Sequence, residues 1–284
     1  MPDDKNTPAD QGTEKKRRLG RRGRLIVLAV VVLAVVAAVV VTLVVVLGGK
    51  DSTRSEKLVI PEGYRATQVY EAVDKALAVD GGTTKKAASK AHFTLPAAAD
   101  GNPEGYLFPA TYPVDKNTTP ASLLSYMNNT ANQRLKADHV TKGADTNGVS
   151  VYETVIIASI VQAEADTHED MGKVARVIYN RLDKGMKLQM DSTINYALNR
   201  STLDTSHADT RTDSPYNTYD HKGLPPTPIG NPGEDAIGAA IAPPKGDWLY
   251  FVTVAPGDTR FTDSYEEQKK NVEEFNSRQA SAKE

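Results

Sequence analysis

The stretch Ile156-Ile157-Ala158-Ser159-Ile160-Val161-Gln162-Ala163-Glu164-Ala165-Asp166 (IIASIVQAEAD) is a mostly apolar segment with a carboxylate near its end. Its spacing predicts a helix. Val161, Ile160 and Ile157 stand three, four and seven residues before Glu164, so all four share one helical face. Glu164 therefore continues the apolar stripe, where most charged residues of an amphipathic helix oppose it. Two readings follow. Glu164 lies at the edge of the stripe and pairs with a Lys or Arg. Alternatively it is a carboxyl in an apolar cleft, with its pKa raised so that it can serve as a general acid.

The flanks of this helix are legible. Ser150-Val151-Tyr152-Glu153 matches a capping box and opens it. Thr167-His168-Glu169-Asp170 reads as a second N-terminus, with Met171, Val174, Ala175, Ile178 and Leu182 as an apolar stripe and Gly185 as its stop. Two helices thus meet at Asp166–Thr167, and Glu164 sits at a corner where a cleft can form.

Further out, Leu58–Ile60 reads as a short strand, followed by a turn at Pro61-Glu62-Gly63 and a helix carrying Val69, Val73, Ala76 and Leu77. Thr119–Ala137 is expected to be helical and to lead into a polar loop. Met186–Met190 is a candidate strand, with a helix at Ser192–Leu198. Thr202–Asn231 is a long polar loop stiffened by prolines, a feature of ordered functional loops. A short helix is expected at Ala236–Ala242, a strand at Trp248–Val254 and a terminal helix at Tyr265–Phe275.

The chain has 284 residues, 39% hydrophobic and 25% charged, as a globular protein with a core requires. The formal net charge of −2 is unevenly spread: the first 24 residues carry the basic run Lys15–Arg24, and the remainder is acidic. A nucleic-acid-binding face is therefore not expected outside that tail. No cysteine is present, which excludes disulfides, thiolate metal sites and a cysteine nucleophile. Leu25–Leu47 is apolar apart from Thr42 and would span about 35 Å as a helix, enough for the hydrocarbon core of a bilayer. It is too long for a signal-peptide core and lacks a clear small-x-small cleavage site. It reads as a single-pass anchor, with residues 1–24 a disordered cytoplasmic tail and residues from Gly48 on the outer side.

Phosphate-binding and nucleophile-elbow motifs are absent, and the five histidines show no metal spacing. Neither a metal nor a cofactor is implied. What remains is a set of carboxylate, amide and tyrosine side chains: Glu164 with Gln189, Asp191, Tyr216, Asn217 and Tyr219. Amides and carboxylates hydrogen-bond sugar hydroxyls, and aromatic faces cover the C–H side of a sugar ring. Glu104 is either an acid supporting such a site or a plain helix or turn residue.

IIASIVQAEAD, VARVIYNRLDKGMKLQMDSTINYAL, SPYNTYDHKGLPPTPIGNPG, LYFVTVAPGDTRFTDSYEEQKKNV and PEGYLFPATY together resemble the endolytic murein transglycosylase (MltG/YceG-like) family, in order from about Lys57 to Phe275. The resemblance implies a membrane-anchored enzyme that cleaves peptidoglycan strands internally between MurNAc and GlcNAc and leaves 1,6-anhydroMurNAc ends. It places the catalytic glutamate at Glu164 and substrate binding at Gln189, Asp191, Tyr216, Asn217 and Tyr219. Partners would be peptidoglycan glycan strands, the membrane and, as candidates, peptidoglycan synthases. The alternatives are a hydrolytic muramidase and a glycan-binding scaffold of a cell-wall synthesis complex. Two departures stand out: Gln162 occupies the family's first glutamate position, and about ten residues separate the apolar run from Leu58, where many relatives carry a LysM-like module. The expected fold is α+β. A small α/β subdomain at 57–118, a candidate LysM-like remnant, precedes a helix-rich, partly lysozyme-like catalytic domain at 119–284.

Overall fold

The computed structural model describes residues 56–200 and 205–281. The expected tail and anchor lie outside the described residues. Among the described residues, no helix is long and apolar enough to cross a membrane.

Strand β1 (Glu56–Val59) leads through the Pro61–Gly63 turn into α1 (Ala66–Ala76). Val69 and Val73, one helical turn apart, are fully buried. The buried Asp74 carboxylate accepts hydrogen bonds from the Thr84 hydroxyl (2.6 Å) and the Thr84 N–H (2.7 Å), pinning the short helix α2 (Thr83–Ala87) to α1. Strand β2 (Thr111–Val114) returns antiparallel to β1, with Leu58 opposite Tyr112. Helix α3 (Pro120–Leu135) starts where the Thr119 hydroxyl accepts the Ser122 N–H and proline takes the first helical position.

The expected polar loop after α3 is instead a helix, α4 (Asp138–Thr146). Only Val140 and Ala144 are buried along it, an apolar stripe too thin for periodicity to reveal. Helix α5 (Val151–Glu164) opens on the expected capping box: the Ser150 N–H donates to Glu153 Oε2 (2.8 Å) and the Glu153 N–H to Ser150 Oγ (3.2 Å). Helix α5 has no solvated face over most of its length. Thr154 through Val161 are all buried, so it is the central helix of the molecule. Around it pack α6 (His168–Asp183) and α8 (Glu234–Ile241), with the short α7 (Asp191–Ala197) against its C-terminal end.

Between Gly185 and Met190 the chain has no regular secondary structure, and the candidate strand there does not form. Gln189 has φ +52, outside the strand region. Residues 205–233 carry only one turn of 3₁₀ helix, at Asp209–Arg211. The hairpin β3 (Tyr250–Ala255) and β4 (Asp258–Thr262) follows, and α9 (Tyr265–Ser281) packs on β3. The fold is thus helix-rich α+β with two small antiparallel sheets.

The described residues form one compact unit with two core clusters. The larger centres on α5, α6 and α8; the smaller joins β1, β2, α1 and the first half of α3. Helix α3 belongs to both, giving Leu123, Leu124 and Met127 to the smaller and Ala131 and Leu135 to the larger.

Candidate active site

Glu164 is the last residue of α5; at Ala165 the backbone turns extended (φ −145, ψ 142). Across from it stands the first turn of α7. The Ser192 hydroxyl donates to Glu164 Oε1 at 2.6 Å, and the Ser192 N–H donates to the same oxygen at 3.2 Å. That N–H belongs to the first helical turn, where it has no partner within the helix. Burial pushes the Glu164 pKa up by desolvation; the two Ser192 hydrogen bonds oppose this, and the neighbouring Asp191 adds to it, with a net upward shift. Among the described residues nothing donates to Oε2, so that oxygen is free to carry a proton. The stripe-edge reading of Glu164, with a Lys or Arg partner, does not hold: the salt bridges among the described residues do not include it.

Asp191 begins α7, and its Oδ1 accepts the Tyr219 hydroxyl at 2.5 Å. Burial raises the Asp191 pKa and the Tyr219 bond counters it. Tyr219, half-buried and bonded to a carboxylate, is held well above the ordinary range for a phenol. Glu164, Asp191 and Tyr219 are thus gathered around one helix start, across 28 residues of sequence on either side.

Gln189 stands just before them. Its side chain is exposed and its Oε1 accepts from Arg181 Nη1 at 3.3 Å. A left-handed backbone at a non-glycine residue costs about 1 kcal/mol or more, and here the surroundings enforce it. The Gln189 N–H donates to the Thr218 carbonyl, and the Met190 N–H to the Thr218 hydroxyl (2.9 Å). Buried Arg181 grips the Leu188 carbonyl (2.6 Å) and the Leu249 carbonyl (2.6 Å).

The other two expected ligands sit differently. Asn217 is 1% exposed, and its amide is committed to its own loop. Nδ2 donates to the Thr210 and Thr212 carbonyls, and Oδ1 accepts the Tyr219 N–H at 2.9 Å. It shapes the loop that delivers Tyr219. Tyr216 lies toward the far end of α7, its ring 4.9 Å from that of Tyr196 and its hydroxyl 2.8 Å from Thr227 Oγ1.

At that far end is Glu104, 4% exposed. Its Oε1 accepts the Ala66 N–H (2.8 Å) and Asn231 Nδ2 (3.3 Å), and its Oε2 accepts the Tyr196 hydroxyl (3.2 Å). Burial raises its pKa to about 7 against the lowering effects of Ala66, Tyr196 and Arg65. It is no plain turn residue. Sequence reasoning also missed Ser192, Thr218 and Arg181, whose small or basic side chains carry no periodic signal.

Gln162 is structural: its Oε1 accepts the Gly233 N–H at 2.9 Å, tying α5 to the proline-rich 223–233 segment. That segment lies along α5, with the Ile229 N–H donating to Ser159 Oγ and Asn231 bonded to Leu107 and Tyr64. A separate groove of about 610 Å³ opens at the opposite end of α5 from Glu164, beside Tyr152, Glu153, Leu224 and Pro225. No cluster of potential metal ligands occurs among the described residues.

A carboxyl whose pKa is raised by burial, set at a helix corner with one oxygen gripped and the other open, has the features general acid–base chemistry needs. The YceG-like family model matches residues 37–274, and the chain belongs to that family. It is similar to the endolytic murein transglycosylase of Bacillus subtilis (strain 168), at 39% identity over 173 residues, 61% of this chain and 48% of that protein. It is also similar to the endolytic murein transglycosylase of Streptococcus pneumoniae serotype 2 (strain D39 / NCTC 7466), at 38% identity over 177 residues, 60% of this chain and 32% of that protein. The matches therefore span about half and a third of these relatives. A crystal structure of a YceG-like protein from Listeria monocytogenes superposes with a TM-score of 0.65 at 30% identity, covering 76% of this chain and 75% of that one.

Proposed function

We propose that the chain is a lytic transglycosylase that cuts peptidoglycan glycan strands internally, with Glu164 as its single general acid and base. The observation that carries this is the Glu164 carboxyl itself: protonation is favoured by burial, while Ser192 holds Oε1 and leaves Oε2 open. The names of the Bacillus and Streptococcus relatives support the same substrate.

Glycosidases that admit water use two carboxylates. Here the nucleophile is the substrate's own C6 hydroxyl, so one suffices. Glu164 gives its proton to the glycosidic oxygen, and the bond to MurNAc C1 breaks with the GlcNAc hydroxyl as leaving group. O6 then bonds to C1, and its proton returns to the Glu164 carboxylate. No water is consumed and Glu164 ends as it began. The ring closure gains from proximity, since both reacting atoms belong to one sugar.

Gln189, Asp191 and Tyr219 position the glycan at the mouth of the site. Asn217 acts by holding Tyr219, and Tyr216 presents a ring face further along. Gln162 occupies its position without loss because the Gly233 N–H needs only an acceptor oxygen, which an amide supplies as well as a carboxylate. Residues 25–47 anchor the chain in the cell membrane by a single pass, with the N-terminus cytoplasmic. Residues 57–118, the small subdomain, and 119–284, the catalytic domain, face the wall. Peptidoglycan synthases are the partners this placement suits.

The test is digestion of purified peptidoglycan by the protein and by Glu164→Gln, read by muropeptide mass spectrometry. Anhydro ends from the first and none from the second are expected. Anhydro ends from both would remove Glu164 from the chemistry.

A further inference from the structure

Glu104 has no part in the mechanism above, yet it is a buried acid with three hydrogen-bond partners. It binds three segments far apart in the chain: the start of α1 through the Ala66 N–H, the 223–233 segment through Asn231, and α7 through Tyr196. Helix α7 is only seven residues long, and both its ends are engaged. Its first turn presents Asp191 to Tyr219 and Ser192 to Glu164; its last turn is held by the Tyr196 hydroxyl on Glu104. A helix this short has little stability of its own, so its placement depends on what holds its two ends.

We propose that Glu104 is a positioning residue of the same site: through the Tyr196 hydroxyl its carboxylate locks α7 in the orientation that lets Ser192 grip Glu164. The donors around it fit this role. Ala66, Asn231 and Tyr196 all offer hydrogens, so only an acceptor satisfies them together. The groups that face it electrostatically are Arg65 at the start of α1, Tyr70 on α1 and Tyr196 on α7. Arg65 stacks on the Tyr196 ring at 5.0 Å, so the tyrosine is fixed by its face as well as its hydroxyl. The burial that lifts the Glu104 pKa toward neutrality means that the folded protein keeps this acid where a neutral side chain would sit with less strain.

Resting on the transglycosylase reading, this inference separates from it experimentally. Glu104→Gln keeps the shape and an acceptor at Oε1 for Ala66 and Asn231, and replaces the Oε2 that accepts the Tyr196 proton with an N–H₂ donor. Tyr196→Phe keeps the ring and removes the hydroxyl. Each variant, and the double, is compared with the unaltered protein by kcat and KM on purified peptidoglycan and by amide hydrogen exchange across residues 191–198. Each single change is expected to lower kcat about tenfold with KM within about twofold, and to speed exchange in α7 alone. The double variant is expected to be no worse than either single one, because both cut the same link. Exchange in α7 unchanged in both variants, a kcat within twofold of the original, or effects that multiply in the double would overturn the proposal. A protein that cleaves no peptidoglycan at all overturns the reaction and not the link. In that event α7 exchange alone decides: faster exchange in both variants sustains the role of Glu104, and unchanged exchange ends it.

Discussion

Replacing Ser192 by alanine removes the shorter of the two hydrogen bonds to Glu164, the 2.6 Å bond from the hydroxyl, and leaves the 3.2 Å bond from the N–H. That hydroxyl stabilises the carboxylate over the acid. A hydrogen bond to a charged group is worth about 1.5–3 kcal/mol. Glu164 is half-buried, so the lower end applies. A loss of about 1.5 kcal/mol makes the proton bind roughly tenfold more tightly. The reaction starts from the protonated acid, so the alkaline limb of the pH profile of kcat/KM reports its loss from the free enzyme. In Ser192→Ala that limb moves to higher pH; in Ser192→Thr, which keeps a hydroxyl, it stays close to the original. The assay is release of soluble muropeptides from purified peptidoglycan between pH 5 and 9. A limb that stays put in Ser192→Ala, or moves to lower pH, refutes the assignment of Glu164 as the acid held by Ser192.

Glu104 gives a stability prediction with a definite sign. Its folded pKa is about 7 against an ordinary 4.5, so between these values the folded protein holds a proton that the unfolded chain has lost. Stability therefore falls as pH rises through that window, by roughly 3 kcal/mol from this group, and levels off above it. Urea denaturation at pH 5 and pH 8 should show a markedly smaller drop for Glu104→Gln, and an equal drop would contradict the burial argument. Gly105 has φ +82, and a Cβ there would lie 2.6 Å from Pro228 Cγ and 2.8 Å from Val155 Cγ1. Gly105→Ala should cost about 2–4 kcal/mol in the same experiment, and a cost below about 0.5 kcal/mol would mean that the 223–233 segment is not held against α5. Gln162→Glu should leave kcat/KM within about twofold, since Gly233 needs only an acceptor; a large gain would give that position a chemical role.

What the sequence disclosed and what it hid divide by distance along the chain. The start of α5 was legible because Ser150 and Glu153 satisfy each other within one turn. The corner at Asp166–Thr167 was legible for the same local reason, and it set Glu164 where two helices meet. Helix α4 was hidden because two buried residues, Val140 and Ala144, are no periodic pattern. Gln189 was read into a candidate strand at Met186–Met190, yet its left-handed backbone is held by Thr218, 29 residues away. Asn217 was read as a ligand because an amide beside tyrosines suits a sugar. It proved to be the clasp of its own loop, a use of asparagine that composition cannot distinguish. Ser192 and Glu104 were the hardest. Each matters through a partner 28 or more residues away, Glu164 in one case and Ala66, Tyr196 and Asn231 in the other, and only the fold brings them together.

The central claim is that the sugar's own O6, and not water, attacks the bond that Glu164 opens. Cleavage of purified peptidoglycan in ¹⁸O-labelled water, followed by mass spectrometry of the new ends, tests it directly. The account predicts ends that are one water lighter than hydrolysed ends and carry no label. Reducing ends bearing ¹⁸O would contradict it and make the protein a hydrolase.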